Sequence, residues 1–260
     1  MSQEHRLVSS ARLIAGLTFV SRLLGLAREC TYAYFFGTGE LLSAFRVAFM
    51  VPNLARRMFG EGALSAAFIP VFTLALRDPD PRHARTLAGG VLTLLGAALG
   101  GLVLVGEAGV LTAYLLAQSL TLKLTAIMLP YMALICLTAF LGGLLNTLHR
   151  FAAPAAAPMI LNTVVVLAMV AAYWFGGLGG RDLIYVTCGA VLLAGVMQVG
   201  LQVLALRRTT FRPTFNRNWG HPDIRTVAAL MGPTILGLST VQFNTLLDML
   251  IAKVFVPDGQ

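Results

Sequence analysis

The amino-acid sequence predicts an all-α fold, a polytopic membrane bundle of about seven transmembrane helices with a cytoplasmic N-terminus. Three observations carry that reading. Hydrophobic residues make up 57% of the chain against 12% charged, the mean hydropathy is +0.80, and apolar stretches of spanning length recur from one end to the other. Cys30, Cys136 and Cys188 lie in apolar runs without CxxC spacing, which predicts packing residues rather than a disulfide framework or a zinc site.

Seven segments reach the roughly 20 apolar residues needed to cross a bilayer, at about 10–36, 41–72, 85–106, 124–147, 156–175, 183–206 and 226–255. No small-residue cleavage site opens the first onto a soluble domain, so it reads as a membrane helix and not a secretory signal. The first two are long and charged, and are expected to be tilted, broken at Gly25 or Pro52, or extended beyond the bilayer. In the third, Gly96 and Gly100 form a small-xxx-small pair that predicts close helix packing. GVLTAYLLAQSL (109–120) is too short to span and predicts a helix lying at the interface. Pro130, Pro154, Pro158 and Pro233 fall inside or near the starts of later segments, as membrane helices tolerate. GGLGG (176–180) predicts a turn, since no strand precedes it to make a phosphate cradle.

Orientation follows from loop charge. With the N-terminus inside, Arg6, Arg12, Arg77, Arg82, Arg85, Arg150, Arg207, Arg208, Arg212, Arg217 and Arg225 fall on or near the cytoplasmic side, and only Lys123, Arg181 and Lys253 on the other. The net charge of +8 raises nucleic acid as a partner, with RRTTFRPTFNR (207–217) as the patch. Flanked by two spans, that patch predicts a cytoplasmic loop touching anionic lipid heads instead.

Charges inside the spans need a reason, because each Arg at the bilayer centre costs about 2.5–3.5 kcal/mol. In SRLLGLARE (21–29), Arg22 falls near the midplane, with Arg28 about 9 Å beyond. The two lie about 120° apart on a helix, and a bend near Gly25 would turn both toward one cavity. Glu29 shares the face of Arg22, so compensation among the charges is the structural alternative. In the second segment Arg57 and Glu61 stand at i and i+4, which suits an intrahelical pair, whereas Arg56 has no such partner in sequence. Arg46 is a looser candidate. Three to five guanidiniums with few acids suggest an anionic, phosphorylated membrane ligand, since the guanidinium fork matches phosphate in bidentate fashion. Asp248 is the one acid deep in the seventh segment, with Asn244 a turn earlier. An ion site and an interhelical pair are evenly weighted there. The histidines His5, His83, His149 and His221 are scattered, and neither HxxxH, GxSxG nor a Walker loop occurs, so neither an enzyme nor a metal site is expected.

The order of these pieces resembles the MurJ/MviN lipid II flippases of the multidrug/oligosaccharidyl-lipid/polysaccharide exporter superfamily. The residues that carry the resemblance are SRLLGLARE (21–29), FFGTGELLSAFRVAF (35–49), VPNLARRMFGEGALSAAFIP (51–70), LPYMALICLTAFLGGLLNTLHRFAAPAAAPMILN (129–162) and MGPTILGLSTVQFNTLLDMLIA (231–252). It implies two six-helix lobes around a cationic cavity, two further helices that form a groove for a lipid tail, and a bacterial inner-membrane location. It also implies alternating access that carries undecaprenyl-diphosphate-linked disaccharide-pentapeptide to the outer leaflet. Arg22, Arg28 and Arg56 fall on motif positions taken to engage the diphosphate, with Arg46, Arg57, Glu61 and Ser43 as further candidates. Ser43 stands where many members carry an acid.

The resemblance further implies Na⁺ or the membrane potential as driving force, with Asp248 and Asn244 as candidate Na⁺ ligands, and no resident cofactor. The expected partners are membrane lipids and cell-wall synthesis proteins. Family members have about fourteen spans, so residues 1–220 are expected to form the N-terminal lobe and 221–260 the first helix of a second, in a fragment or truncated reading frame. The rival readings are a cation-coupled multidrug exporter, against which the arginine-rich first helices argue, and a half-bundle that binds lipid precursor without moving it.

Overall fold

Residues 3–234 and 236–237 are described by the structure, a computed structural model, and every regular element among them is helical. α1 (Gln3–Phe36) turns at residues 37–39 into α2 (Glu40–Ala55), which runs through a π-helical stretch (Arg56–Ala63) into α3 (Leu64–Ala75). Then come α4 (Pro81–Ala117), α5 (Leu120–Thr147), α6 (Ala152–Trp174) and α7 (Gly180–Arg207). Residues 222–234 begin a further helix. Four helices, α4 to α7, are each long and apolar enough to cross a membrane.

α5 is the hub. It packs against α2, α4 and α7 and buries Leu124, Met128, Tyr131, Phe140, Leu144 and Leu145, while Leu104, Val105, Leu116, Trp174 and Phe175 face outward, as lipid-contacting side chains do. In a bilayer such association rests on close packing rather than on leaving water. Small residues supply it where Gly106 meets Leu129, Gly142 meets Pro154 and Gly195 meets Tyr131. The expected Gly96/Gly100 contact is absent among the described residues, because none lies within 4 Å of a Cβ placed on either. Those glycines sit on an open stretch of α4.

Two expectations about breaks are corrected. α1 is unbroken at Gly25 and α2 continues through Pro52; the second pass changes character at Arg56–Ala63 instead. That stretch, RRMFGEGA, has two glycines, each costing about 1 kcal/mol relative to Ala in a regular helix, and it lies between Pro52 and Pro70. The α-helical ladder is weakest there. The separate span and interfacial helix expected at 85–106 and 109–120 are one 37-residue helix, α4. Asp80 caps its start by accepting from the Arg82 N–H, and no proline follows Pro81 until the chain turns at Gln118, whose φ of 48° is left-handed. At 1.5 Å per residue α4 is about 55 Å long, more than the roughly 30 Å hydrocarbon core.

The basic loops gather at one end. Leu76, Arg85, Leu148 and Thr210 surround a single crevice, so the turns after α3, α5 and α7 lie together with their arginines. At the other end Phe35 meets Tyr173, ring centroids 4.9 Å apart, and the Lys123 ammonium lies 4.8 Å from the Tyr185 ring centroid. The segment after α7 is no free loop. Phe211 is buried and meets Phe72 edge-on at 5.5 Å, the Thr214 N–H donates to the Arg85 carbonyl at 3.0 Å, and Asn216 Nδ2 donates to the Thr86 carbonyl at 2.8 Å. Thr93 Oγ1 donates to the Asn216 carbonyl and accepts from Trp219 Nε1. Gly89 and Gly90 make room, since a Cβ on either would collide with Thr214 or Ile224. This strap binds the connection after α7 to the start of α4.

Candidate functional site

Two adjoining cavities open between the helices. The first, of about 350 Å³, is lined by Gly25 and Arg28 of α1, Phe49 and Asn53 of α2, Arg56, Tyr131 and Ile135 of α5, Pro158, Leu161 and Asn162 of α6, and Gln198 of α7. The second, of about 330 Å³, adds Ile69, Thr138, Asn146, Pro154 and Gln202, reaching toward the end that carries the basic loops. Arg56, Ile135, Pro158 and Gln198 line both. The π-helical stretch therefore begins at the junction of the cavities, in keeping with the frequent placing of such irregular turns at functional sites.

Arg28 is held in detail. Its Nη2 donates to Glu29 Oε1 at 2.8 Å and its guanidinium carbon lies 5.6 Å from the Tyr32 ring centroid, a contact worth about 0.5–1 kcal/mol. Its Nε is buried without a hydrogen-bond partner. Gln198 Nε2 donates to the Ala157 carbonyl at 2.7 Å, but Gln198 Oε1 and Gln202 Oε1 are buried without partners, although both side chains are almost wholly enclosed. Asn162 Nδ2 donates to the Ser21 carbonyl. A buried polar atom left unpaired costs about 1–3 kcal/mol, so Arg28 Nε beside the first cavity, Gln202 Oε1 beside the second and Gln198 Oε1 beside both mark walls whose hydrogen bonds are incomplete. Neither cavity is lined by an acid among the described residues.

The structure brings Arg28 and Arg56 into one cavity and leaves Arg22, Ser43, Arg46 and Arg57 outside its lining. Arg22 is exposed: with α1 unbroken at Gly25, the 120° between the two positions persists and Arg22 lines neither cavity. Glu29 is paired with Arg28, not with Arg22, and Arg46 Nη2 approaches Glu29 Oε2 at 3.7 Å. Part of the charge is thus compensated on α1 and α2. Ser43 is exposed and donates to the Gly39 carbonyl at 3.3 Å. Arg57 is exposed and lies with Glu61 in the π-helical stretch; the Glu61 side chain, and with it the expected pairing, lies outside the described ones. Asn244 and Asp248 also lie outside the described residues.

The uncharged polar wall was missed in the sequence. Gln198 and Gln202, four apart in the apolar α7, were its signal, because that spacing puts both amides on one helix face. Chemically the site offers two guanidiniums, Arg28 held by Glu29 and Tyr32, beside unpaired amide oxygens, a surface for an anionic group with donor-bearing substituents.

Residues 32–260 match the family model for the lipid II flippase MurJ. A probable lipid II flippase MurJ of Bdellovibrio bacteriovorus is 34% identical over 98% of this chain and 50% of its own length. The lipid II flippase MurJ of Burkholderia cenocepacia is 33% identical over 92% and 48%. This chain thus spans about half the length of the curated relatives it matches. Among solved structures, the inward closed conformation of lipid II flippase MurJ superposes with a TM-score of 0.66 at 25% identity, over 94% of this chain and 51% of that one. A bent form of the Vibrio cholerae MATE transporter VcmN superposes at 0.69 with 13% identity, over 97% and 59%, a likeness of fold alone.

Proposed function

The chain belongs to the lipid II flippase MurJ family, and from that membership we propose that it forms one lobe of a transporter for a lipid-linked diphosphate in a bacterial inner membrane. The observation that carries the reading is the pair of adjoining acid-free cavities that meet at Arg56, with Arg28 Nε unpaired beside the first, Gln202 Oε1 beside the second and Gln198 Oε1 beside both. Two guanidiniums engage the diphosphate, and the glutamine oxygens accept from hydroxyl or amide groups of the attached sugar and peptide. Arg22, exposed on another face of α1, is a secondary contact for the same headgroup from the side where a second lobe packs. Arg46, Arg57 and Ser43, which lie outside the cavity lining, are secondary candidates for the same ligand, as is Glu61.

Residues 1–220 constitute the lobe, and the helix beginning at 222 opens a second. The end that gathers Arg77, Arg85, Arg150, Arg207 and Arg212 faces the cytoplasm, by the positive-inside rule. Alternating access rocks one repeat against another around a shared site, so the 260 residues alone bind cargo without carrying it across. Movement, not bond chemistry, is the activity. A site on Asp248 and Asn244 couples it to Na⁺, which Asp248→Ala would test through the Na⁺ dependence of transport. A cation-coupled drug exporter is disfavoured because a cationic drug needs acids in the cavity, and none lines it among the described residues.

Complementation of a flippase-depleted strain tests the reading. Arg28→Ala and Arg56→Ala, in the full-length gene product, are expected to abolish growth at normal membrane levels, and the Lys variants to rescue poorly. Growth of both Ala variants at native expression would overturn it.

A further inference from the structure

At the strapped end, far from the cavity, the fold brings together residues that the sequence keeps 140 positions apart. His83 lies in the first turn of α4, and His221 and Asp223 lie where the strap leads into the next helix. Their ligand atoms all fall within 4.8 Å of one another. His83 Nε2 is 2.6 Å from Asp223 Oδ2, and His221 Nδ1 is 3.6 Å from the same oxygen. On its other side, His83 Nδ1 meets Asp78 Oδ2 at 2.8 Å. Asp78 is itself fixed, since its Oδ1 accepts from the Asp80 N–H at 2.9 Å, and that bond together with the imidazole holds its carboxyl below the usual carboxylate range. The three side chains border an open cavity of about 540 Å³.

We propose that His83, His221 and Asp223 form a binding site for a borderline divalent transition-metal ion of the Zn²⁺ class, which staples the strap to α4. Four features of the arrangement support it. Two imidazoles and one carboxylate are the donor set that such ions prefer over the all-oxygen shells of Mg²⁺ and Ca²⁺. Asp78 occupies the place of the outer carboxylate that keeps the Nδ1–H tautomer on a ligating histidine and leaves Nε2 free to bind. Tetrahedral ligands at about 2.0–2.1 Å from the ion lie about 3.3 Å apart, so an entering ion would widen the 2.6 Å contact of His83 with Asp223 and draw His221 in from 3.6 Å, changes of about an ångström or less in those two spacings. The adjoining space admits water as a fourth ligand. A bound ion would tie the segment leading into the second lobe to the first, whatever the cavity carries.

The experiment is a calorimetric titration of Zn²⁺, with Mg²⁺ as control, into the chelator-treated 260-residue chain, purified through a tag without histidine, with thermal unfolding read in parallel. The expected result is one saturable Zn²⁺ per chain, a raised Tm, and no Mg²⁺ response. His221→Ala leaves the His83–Asp223 contact intact and is expected to lower Zn²⁺ affinity at least tenfold with little change in metal-free Tm. Asp223→Ala should do at least as much to the affinity. Asp78→Asn, acting through His83, should lower it 10- to 100-fold. Absence of saturable Zn²⁺ binding would overturn the proposal, as would equal affinity in wild type, His221→Ala and Asp223→Ala. A Tm that responds to pH but not to Zn²⁺ would show that the cluster holds only protons, and would overturn it equally.

Discussion

The cavity wall and the strapped end are the two polar regions of a mostly apolar molecule, and they treat their polar atoms in opposite ways. Along the strap, Thr93, Thr214, Asn216 and Trp219 exchange hydrogen bonds with one another and with α4, side chain to backbone and across more than a hundred positions. At the cavity, Arg28 Nε, Gln198 Oε1 and Gln202 Oε1 are enclosed without partners. Pairing of the first kind stabilises a fixed connection. Incomplete protein–protein pairing of the second kind leaves acceptors and a donor for whatever fills the cavity, water or ligand, which is how a binding wall differs from a structural seam.

The largest stability effect is expected where the strap meets the helix. A Cβ on Gly89 collides with the Thr214 carbonyl, a backbone group that has nowhere to go. Gly89→Leu should therefore detach the strap and cost about 3 kcal/mol, the upper range for overpacking. Thermal unfolding in detergent measures the loss, and Trp219 fluorescence reports its parting from Thr93. A smaller effect of opposite sign is expected at the cavity. Gln202→Leu removes an unpaired buried oxygen, so Tm should hold or rise, by about 1 kcal/mol, while complementation by the full-length product falls. A fall in both would mean that the glutamine is structural. The smallest effect belongs to neither region: Gly96→Ala, with open space around it, should stabilise by about 0.5–1 kcal/mol through helix propensity.

The sequence made the helical class plain, and the family resemblance pointed to Arg22, Arg28 and Arg56 for one cavity, of which Arg28 and Arg56 line it and Arg22 does not. Long apolar runs and a one-sided arginine distribution are properties of single segments, so they survive without knowledge of packing. What escaped depends on distant partners. The strap was read as a free basic loop because the carbonyls of Arg85 and Thr86 that hold it are backbone atoms, invisible in any pattern of side chains. His83 and His221 looked scattered for the same reason. The π-helical turn escaped because Pro52 seemed the obvious breaker, yet a proline within a membrane helix is tolerated where its neighbours satisfy the freed carbonyl. The glycine pair at 96 and 100 shows the converse error: a packing motif in sequence does not guarantee a helix to pack against.

The central claim is that Arg28 and Arg56 hold a diphosphate, and the most direct test is equilibrium binding of an undecaprenyl-diphosphate-headed lipid to the full-length product in nanodiscs. Hydrogen bonds to charged groups are worth about 1.5–3 kcal/mol each, and 1.4 kcal/mol is a factor of ten. Arg28→Ala and Arg56→Ala are therefore each expected to weaken binding at least tenfold, with Arg22→Ala weaker in effect and the matching monoalcohol lipid bound poorly by all forms. Unchanged affinity in both Arg28→Ala and Arg56→Ala, with the proteins folded, would contradict it.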